Sequence, residues 1–508
     1  MKIQSADSAI RLIKDSDTIC ISGSGGGLLE PDYILQALEK RYLTTGYPKE
    51  LTIVHCAGIG DAQKRGLNRL THPGMVRRVI GGHWGWSPKM GEKALRGEIE
   101  AYNFPQGAIS LLFREIAAHR PGLITKIGLG TFVDPRIEGG KLNLRTTENL
   151  VDILKLNADE YLFYKSYPIN IAIVLGSIAD EKGNISLERE AAYLDVQAMA
   201  LAAHNCGGKV LVQVKKIISG ETLDARLIKI PGILVDAVVE WPEQWQTYEG
   251  EYNSAFCGEK RIPLTKLPPL PLDERKVIAR RAAMELRPGM VVNLGFGMPD
   301  GVAAVAAEQG ISDWSTFSIE QGPVGGVPAK GVIFGVSTNP SAFLDMPDNF
   351  DFYHGGGLDL AVLSFAQVDK YGNVNVSKFG GRINGCGGFV DISQSAKKVI
   401  FVGTFTTGGL NTQVNNNSIQ IVQEGKNRKL IENVEQITFS GKIAAKRKQD
   451  VQYITERAVF RLVKDGLELI EIAPGIDLEK DILANMDFKP KLSNNLSSMP
   501  AAIFLKKT

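Results

Sequence analysis

Short apolar segments alternate with helical patterns along the first half of the chain, and clusters of glycine follow the apolar segments. Residues 3–15 have helical periodicity, residues 17–22 and 51–57 form apolar strands, and Pro31 and Asp32 open a helix that extends to about Glu39. Strands that alternate with helices are typical of a parallel sheet. The pattern therefore predicts an α/β fold whose sheet is open and largely parallel.

The same alternation continues through the second half. Strands are predicted at residues 316–319, 358–365 and 398–403. For the C-terminus the pattern predicts an amphipathic helix over Tyr453–Leu462, an edge strand over 467–472, a last helix over 476–486 opened by Asp477, and loosely ordered residues from 487 to 508.

The two halves share three segments in the same order. Residues 17–25 parallel 289–297 at an offset of 272, whereas 171–186 parallel 360–375 at an offset of 189. The segments that begin at Lys209 and Lys398 keep the offset of 189. An Asp-x-x-Gly-Asn sequence begins at both Asp180 and Asp369. The pattern predicts two similar α/β domains, of which the first carries about 83 additional residues between positions 60 and 165.

A proline-rich stretch separates the halves. Residues 259–274 contain four prolines, which favour an extended linker over a helix. We therefore predict a first domain over residues 1–258, a linker over 259–274, and a second domain over 275–508.

Composition narrows the class of function. The net charge is +2, and no basic run is longer than residues 446–448, which argues against a nucleic-acid partner. The sequence has neither about 18 consecutive apolar residues nor an N-terminal apolar leader, so no membrane span and no signal peptide are expected. Five scattered cysteines without a CxxC pair predict reduced thiols and a cytoplasmic location. The six histidines lack metal-ligand spacing, so no metal is expected.

Two glycine loops give incomplete nucleotide-binding signatures. Gly23-Ser-Gly25 and Gly295-Phe-Gly297 each need a third glycine, but those positions hold Leu28 and Asp300. No glycine-lysine pair is followed by Ser or Thr, so there is no P-loop. A dinucleotide-dependent dehydrogenase is therefore a weak alternative.

A carboxylate stands at the end of the strand predicted over residues 316–319. Glu320 is followed within six residues by Gly322, Pro323, Gly325 and Gly326, which end the strand in a tight turn. Ligands of open α/β sheets bind at the carboxyl ends of strands, and glycine lets a ligand approach the backbone. Glu320 is thus a candidate functional residue, although a solvated glutamate in a surface turn has the same local pattern.

The motifs around Glu320 resemble those of family I CoA transferases. The second half is similar to their β-type half through Asn293–Pro299, Glu320-x-Gly-x-x-Gly-Gly326 and Gly385-Cys-Gly-Gly-Phe389. The first half is similar to their α-type half through Asn103–Gly107 and the Gly23–Pro31 turn. The fused arrangement resembles the short-chain acyl-CoA transferases of the acetate and propionate type.

The resemblance implies a mechanism. Glu320 becomes a covalent nucleophile in a ping-pong transfer of CoA from a short-chain acyl-CoA to a carboxylate such as acetate, through a glutamyl-CoA thioester. CoA is then both substrate and covalent intermediate, and no other cofactor is expected. The resemblance also implies a homo-oligomer, a tetramer in the family.

It further implies roles for the glycine turns and for the segment around Gln106. Oxyanion donors are expected from the backbone N–H groups of Phe296 or Gly297 and of Gly387 or Gly388. Contacts to CoA are expected at Gly385, Cys386 and Gly403, and contacts to the small substrate at Gln106, Gly107 and Gly25.

Other readings remain open from the sequence. An acyl-CoA hydrolase would resolve the same intermediate with water, and a non-catalytic metabolite sensor would need the pocket but not Glu320. His83-Trp84-Gly85-Trp86 is either a substrate wall or core. Cys386 is expected to be a small apolar filler rather than a nucleophile.

Overall fold

The computed structural model describes residues 2–219, 223–263 and 270–506, and most of their regular structure belongs to two mainly parallel sheets with helices between and outside them. The helices of the first half are α1 Ala6–Ala9, α2 Asp32–Thr45, α3 Pro88–Leu95, α4 Gln106–Ala117 and α5 Val196–Asn205. Its strands are β1 Thr18–Ile21, β2 Leu51–His55, β3 Val76–Gly81, β4 Glu100–Asn103, β5 Gly122–Thr125, β6 Val151–Leu156, β7 Asp159–Lys165, β8 Ile171–Asp180, β9 Ile185–Ser186, β10 Lys209–Ile218, β11 Ile228–Ile230 and β12 Ala237–Glu240.

The second half has shorter helices and more ribbons. Its helices are α6 Glu274–Ala283, α7 Asp300–Glu308, α8 Met346–His354, α9 Phe389–Ser395 and α10 Gly441–Lys446. Its main-sheet strands are β13 Val291–Leu294, β14 Thr316–Phe317, β19 Leu360–Ser364, β24 Lys398–Val402, β30 Asp450–Ile454, β31 Ala458–Val463, β32 Gly466–Ile472 and β33 Lys491–Ser498. The ribbon strands are β15 Pro323–Val324, β16 Val327–Pro328, β17 Ser337–Thr338, β18 Ala342–Phe343, β20 Gln367–Asp369, β21 Val374–Asn375, β22 Lys378–Phe379, β23 Arg382–Ile383, β25 Thr406–Thr407, β26 Asn411–Asn415, β27 Ser418–Gln423, β28 Asn427–Arg428 and β29 Leu430–Ile431.

The two main sheets share a strand order, which confirms the predicted α/β class with two similar halves. In the first, β12-β10-β8-β1-β2-β3-β4 run parallel. In the second, β30-β24-β19-β13-β14 run parallel in the matching order. The register matches too, because Ile19 of β1 pairs with Ile53 of β2 as Val291 of β13 pairs with Thr316 of β14.

The repeated aspartate turn has the same hydrogen bonds in both halves. The Asp180 carboxylate accepts from the backbone N–H groups of Lys182 and Asn184, each at 2.9 Å. The Asp369 carboxylate accepts from those of Tyr371 and Asn373, each at 3.0 Å. The additional segment predicted for the first half contains β3, β4 and an antiparallel ribbon of β5, β7 and β6.

Alternating side chains of the central strands pack into three cores. Ile19 and Ile53 point to one side of the first sheet, toward α1 and α2, whereas Cys20 and Val54 point to the other side. The core on that second side continues through α4, α5, α8 and α9 to Leu363 of the second sheet. A third core lies against α6 and α7. The two halves therefore share one central hydrophobic layer.

The predictions for the C-terminus were mostly wrong. Residues Tyr453–Leu462 form parts of β30 and β31 instead of a helix, and 467–472 lie in the interior strand β32, which pairs with both β31 and β33. The edge strand is β33, and Ile503 and Phe504 are buried, so 487–506 are not loosely ordered. Asp477 does cap a helical segment as predicted, since its carboxylate accepts from Lys480 N, but that segment is short, Leu478–Ile482.

Two predicted elements of the first half differ in length. The helix predicted over residues 3–15 is a single turn, α1, followed by a 3-10 turn at Ile10–Leu12, whereas the helix opened by Asp32 continues to Thr45. Part of the predicted linker, residues 264–269, lies outside the described residues, and the domain boundaries stay a prediction. No helix of the described residues has both the length and the apolar character needed to cross a membrane.

Candidate active site

Glu320 lies just beyond β14, at the carboxyl end of a parallel strand, as the sequence predicted. The chain turns back at once, because Gly322 N donates to Ile319 O at 2.9 Å and Gly322 has a φ of 120°. A Cβ at Gly322 would stand 2.2 Å from Leu344 O, so the turn accepts only glycine there. Glu320 is 6% exposed and faces a cavity of about 620 Å³. It is therefore not a solvated surface glutamate.

The backbone around Glu320 is fixed by buried side chains. Asn293 at the end of β13 donates to Ser318 O at 3.1 Å and approaches Glu320 Oε2 at 3.4 Å. Asn349 of α8 donates to Ile319 O at 2.8 Å. The carboxylate is thus held by the scaffold rather than by a mobile loop, which favours a fixed geometry of attack.

Burial raises the pKa of Glu320 above its ordinary value. The negative charge of Asp391 acts in the same direction, whereas hydrogen bonds from the side chains of Asn293 and Gln321 lower it. The result is a carboxylate that is more basic than a glutamate in water. A more basic carboxylate is a stronger nucleophile when it is ionised.

Two glycine turns of the second half border the same cavity. A Cβ at Gly388 would stand 3.4 Å from Glu320 Cγ, so this turn lies directly against the nucleophile candidate. Gly387 N donates to Gly82 O of the first half at 2.8 Å, and the Gly297 N–H is directed at the Asp300 carboxylate. The N–H groups of Phe296 and Gly388 have no acceptor among the residues that the structure describes.

Both halves contribute to the cavity wall. Of the residues predicted for the site, nine line it: Gly25, Gln106, Phe296, Gly297, Glu320, Gly385, Cys386, Gly387 and Gly388. Gly107 and Gly403 do not. Gly107 is buried behind Gln106, where its N–H donates to Asp391 Oδ2 at 3.1 Å. Gly403 lies behind Phe365, and a Cβ there would stand 2.7 Å from Lys429 Nζ.

The first half supplies a nitrogen-bearing wall. His83 and Trp86 line the cavity, whereas Trp84 is 1% exposed in the core, so the substrate-wall and core readings each apply to part of this stretch. Burial lowers the pKa of His83 to about 4, with a smaller contribution from His55. His83 is therefore a neutral imidazole at neutral pH.

Cys386 has no sign of nucleophilic activation. It is 4% exposed, and burial raises the pKa of its thiol, which the charge of Asp391 raises further. Its backbone N–H donates to Asn103 Oδ1 at 3.0 Å, a contact between the halves. A protonated thiol in this position is a small filler.

Sequence reasoning missed Gln321 and Phe365. Gln321 Nε2 donates to Ser24 Oγ at 3.1 Å, which joins the residue after Glu320 to the first glycine turn. Phe365 forms part of the wall at the end of β19. Neither carries a local signal beyond its place after a strand. The described residues contain no cluster of three or more metal-ligating side chains.

Comparison with known proteins places the whole chain. A family model described as coenzyme A transferase matches residues 3–241. The chain is 47% identical over 504 residues to "Acetate CoA-transferase YdiF" of Escherichia coli K12, covering 99% of this chain and 95% of that protein. It is 45% identical over 515 residues to "Caffeate CoA-transferase" of Acetobacterium woodii, covering 100% and 98%.

A solved structure agrees with the sequence comparison. The acyl-CoA transferase YdiF of E. coli O157:H7, solved as a thioester complex with CoA, has a TM-score of 0.95 and 46% identity, covering 99% of this chain and 96% of that one. The predicted resemblance is therefore confirmed over the full length. This chain belongs to the coenzyme A transferase family.

Proposed function

We propose that this CoA transferase moves CoA from a short-chain acyl-CoA to a carboxylate such as acetate, with Glu320 as the covalent carrier. The observation that carries the proposal is a buried carboxylate in a cavity formed by both halves, directly beside a glycine turn with an unused N–H. Two further facts support it: an acetate CoA-transferase is 47% identical to this chain, and a relative was solved as a thioester with CoA.

The reaction follows from a carboxylate that needs no separate base. An ionised Glu320 oxygen attacks the thioester carbonyl, the C–S bond breaks, and CoA leaves as a thiolate while an acyl–glutamyl anhydride forms. The thiolate then attacks the glutamyl carbonyl, which gives a glutamyl-CoA thioester and releases the first acid. The acceptor carboxylate attacks this thioester in turn, and the same two steps run in reverse to release the new acyl-CoA and free Glu320.

The oxyanion formed at each attack needs backbone donors that are otherwise unused. Gly387 already donates to Gly82 O and Gly297 is directed at Asp300, so among the four predicted donors we assign the role to Phe296 and Gly388. Each such donor contributes about 3 kcal/mol to the transition state. Gly297 and Gly387, with φ of 88° and 50°, shape the turns.

The remaining cavity residues divide between CoA and the small substrate. Gln106, with its amide at the cavity and 2% exposed, is our candidate for binding the acid, together with the Gly25 turn. Gly385 and Cys386 line the side expected for CoA. Gly107 and Gly403 act from behind the wall. CoA remains the only group proposed to be carried covalently, with no separate cofactor.

The test is a mass spectrum of the protein after incubation with acetyl-CoA and no acceptor acid. A transferase accumulates CoA on the peptide that contains Glu320, borohydride then reduces the thioester and inactivates the protein, and prior addition of acetate protects it. A hydrolase would release acetate and hold little CoA. Label on Cys386, or no label on any peptide, would contradict the proposal.

Two wider properties stay proposals from the sequence and the family. A homo-oligomer, a tetramer by resemblance, is testable by light scattering of the purified protein. A cytoplasmic location rests on the five cysteines, all of which are free thiols. Fractionation of the source cells would test it.

A further inference from the structure

Asp391 is a buried carboxylate beside the active-site cavity that the transfer chemistry does not use. It lies in the first turn of α9 and is 0% exposed. Its Oδ2 accepts from the backbone N–H of Gly107 at 3.1 Å, and its Oδ1 is 3.0 Å from His354 Nε2. One side chain thus joins the start of α4 in the first half to the ends of α8 and α9 in the second.

The groups that face Asp391 are almost all acidic. Its negative charge raises the pKa of Glu320, Cys386, Tyr164 and Cys56, in each case in addition to burial. Among the described residues, His354 is the one basic side chain bonded to it. A carboxylate buried with so little compensation needs every donor that it has.

The bond to Gly107 also determines where Gln106 lies. α4 begins at Gln106, whose backbone N–H donates to Gly387 O at 2.9 Å and whose amide Nε2 contacts Met346 Sδ at 3.2 Å. A Cβ at Gly107 would stand 2.5 Å from Asp391 Oδ1, so only glycine allows this approach. Movement of Asp391 would therefore shift Gln106 and the turn at Gly387 together.

We propose that Asp391, held by His354, is a positioning residue for the transfer reaction that anchors the N-terminus of α4 and places a fixed negative charge beside Glu320. The inference rests on the proposed role of Glu320. The anchor keeps the Gln106 amide at the cavity. The charge makes the Glu320 carboxylate more basic and therefore a better attacking group.

The first arm of the test replaces the charge and keeps the shape. Asp391→Asn retains an oxygen that can accept from Gly107. We expect the acid limb of its kcat/KM profile to move to lower pH, because loss of the charge lowers the pKa of Glu320. We also expect kcat to fall by about threefold to tenfold, while CoA still accumulates on Glu320. An unchanged pH profile together with an unchanged kcat would overturn the proposal.

The second arm removes the anchor. Asp391→Ala should raise the KM for the acceptor acid well above that of Asp391→Asn, since the Gly107 N–H loses its partner. Asp369→Asn is the matched control: Asp369 is 2% exposed and is also bonded to backbone N–H groups, but it lies in a turn outside the cavity. Equal effects of Asp369→Asn and Asp391→Asn on the pH profile would reduce Asp391 to a structural residue.

A third variant keeps the proposal testable if Asp391→Asn does not fold. His354→Leu removes the donor from Asp391 and should raise the same KM, whereas His354→Gln, which retains a donor, should restore it. No change in either variant would overturn the inference. Absence of CoA on Glu320 in the wild-type protein would instead refute the proposed function, so the two failures are distinguishable.

Discussion

At the residue scale, the site depends on one carboxylate kept in an environment that disfavours its charge. Burial raises the pKa of Glu320, and Asn293 and Gln321 lower it again by hydrogen bonding. The sequence predicted this residue because a glutamate that ends a strand before several glycines is a strong local signal. It did not predict that Gly387 would be unavailable as a donor, because the bond from its N–H to Gly82 O joins residues more than 300 positions apart.

Shortening the nucleophile should abolish most activity. Glu320→Asp retracts the carboxylate by about 1 Å and should lower kcat/KM on the order of 100-fold, since the attack geometry is fixed by the scaffold. Glu432→Asp, the same change at a surface ion pair with Lys370, is the control. Because the pKa of Glu320 is raised, wild-type activity should fall with decreasing pH earlier than for an ordinary glutamate. Steady-state rates near those of the wild type in Glu320→Asp would contradict the assignment.

A second buried acid affects stability rather than chemistry. Glu30 is 0% exposed and accepts from Tyr248 Oη at 2.7 Å and from Gly60 N at 3.0 Å. Burial, with a contribution from Asp32, raises its pKa from 4.5 to about 8. Its contribution to stability is therefore complete below pH 4.5 and is lost as the pH rises through 8.

Glu30→Gln should remove this dependence, because the amide keeps an acceptor oxygen and does not ionise. The Tm of the variant minus that of the wild type should increase between pH 5 and pH 8.5. Thermal unfolding across that range, monitored by circular dichroism, measures the difference. A difference that is constant with pH would show that Glu30 does not ionise within this range.

At the element scale, periodicity predicted the central strands and failed near the C-terminus. Val459 and Phe460 of β31 are both buried, so this interior strand lacks the alternation that distinguishes a strand from a helix. The run from Tyr453 to Leu462 crosses the turn at Thr455–Arg457 between two such strands. Burial of both faces of a sheet is a tertiary property, and a short apolar run does not reveal it.

The end of β24 offers a test of how the cavity wall is supported. Gly403 follows this strand, and a Cβ there would stand 2.7 Å from Lys429 Nζ and 3.0 Å from two Phe365 ring atoms. Gly403→Ala should push the Phe365 ring toward the cavity and raise the KM for acyl-CoA several-fold, with a smaller effect on kcat. Gly250→Ala, where a Cβ meets open space, is the control. Equal KM values in the two variants would disprove the role of Gly403.

At the scale of the whole molecule, the site exists only where the halves meet. Gln321 donates to Ser24, Cys386 to Asn103, and Gly387 to Gly82, so the residues around Glu320 are tied to the first half at three points. The repeated sequence segments predicted two similar halves. They did not predict the shared central core, because packing of α4 against α8 and α9 has no counterpart in the periodicity of either helix.

Division of the chain at the linker should preserve function if the predicted domain boundaries are right. Residues 1–258 and 275–508, expressed together as separate chains, should associate through the shared core and retain CoA transfer. Co-purification through a tag on one chain, followed by a transferase assay, measures this. Neither chain alone should be active, since each supplies only part of the cavity. Failure of the two chains to associate would show that the linker is required for assembly.

The matched register of β1–β2 and β13–β14 has a meaning for the descent of the enzyme. If Ile53 corresponds to Thr316, then Ala57 corresponds to Glu320, and both Ala57 and Glu320 line the cavity. Gly25 and Gly297 form a second corresponding pair on its wall. An ancestor made of two identical copies would have presented two equivalent nucleophile positions to one shared space. Duplication followed by divergence freed one position from chemistry, and alanine there leaves room for the substrate that the surviving glutamate attacks.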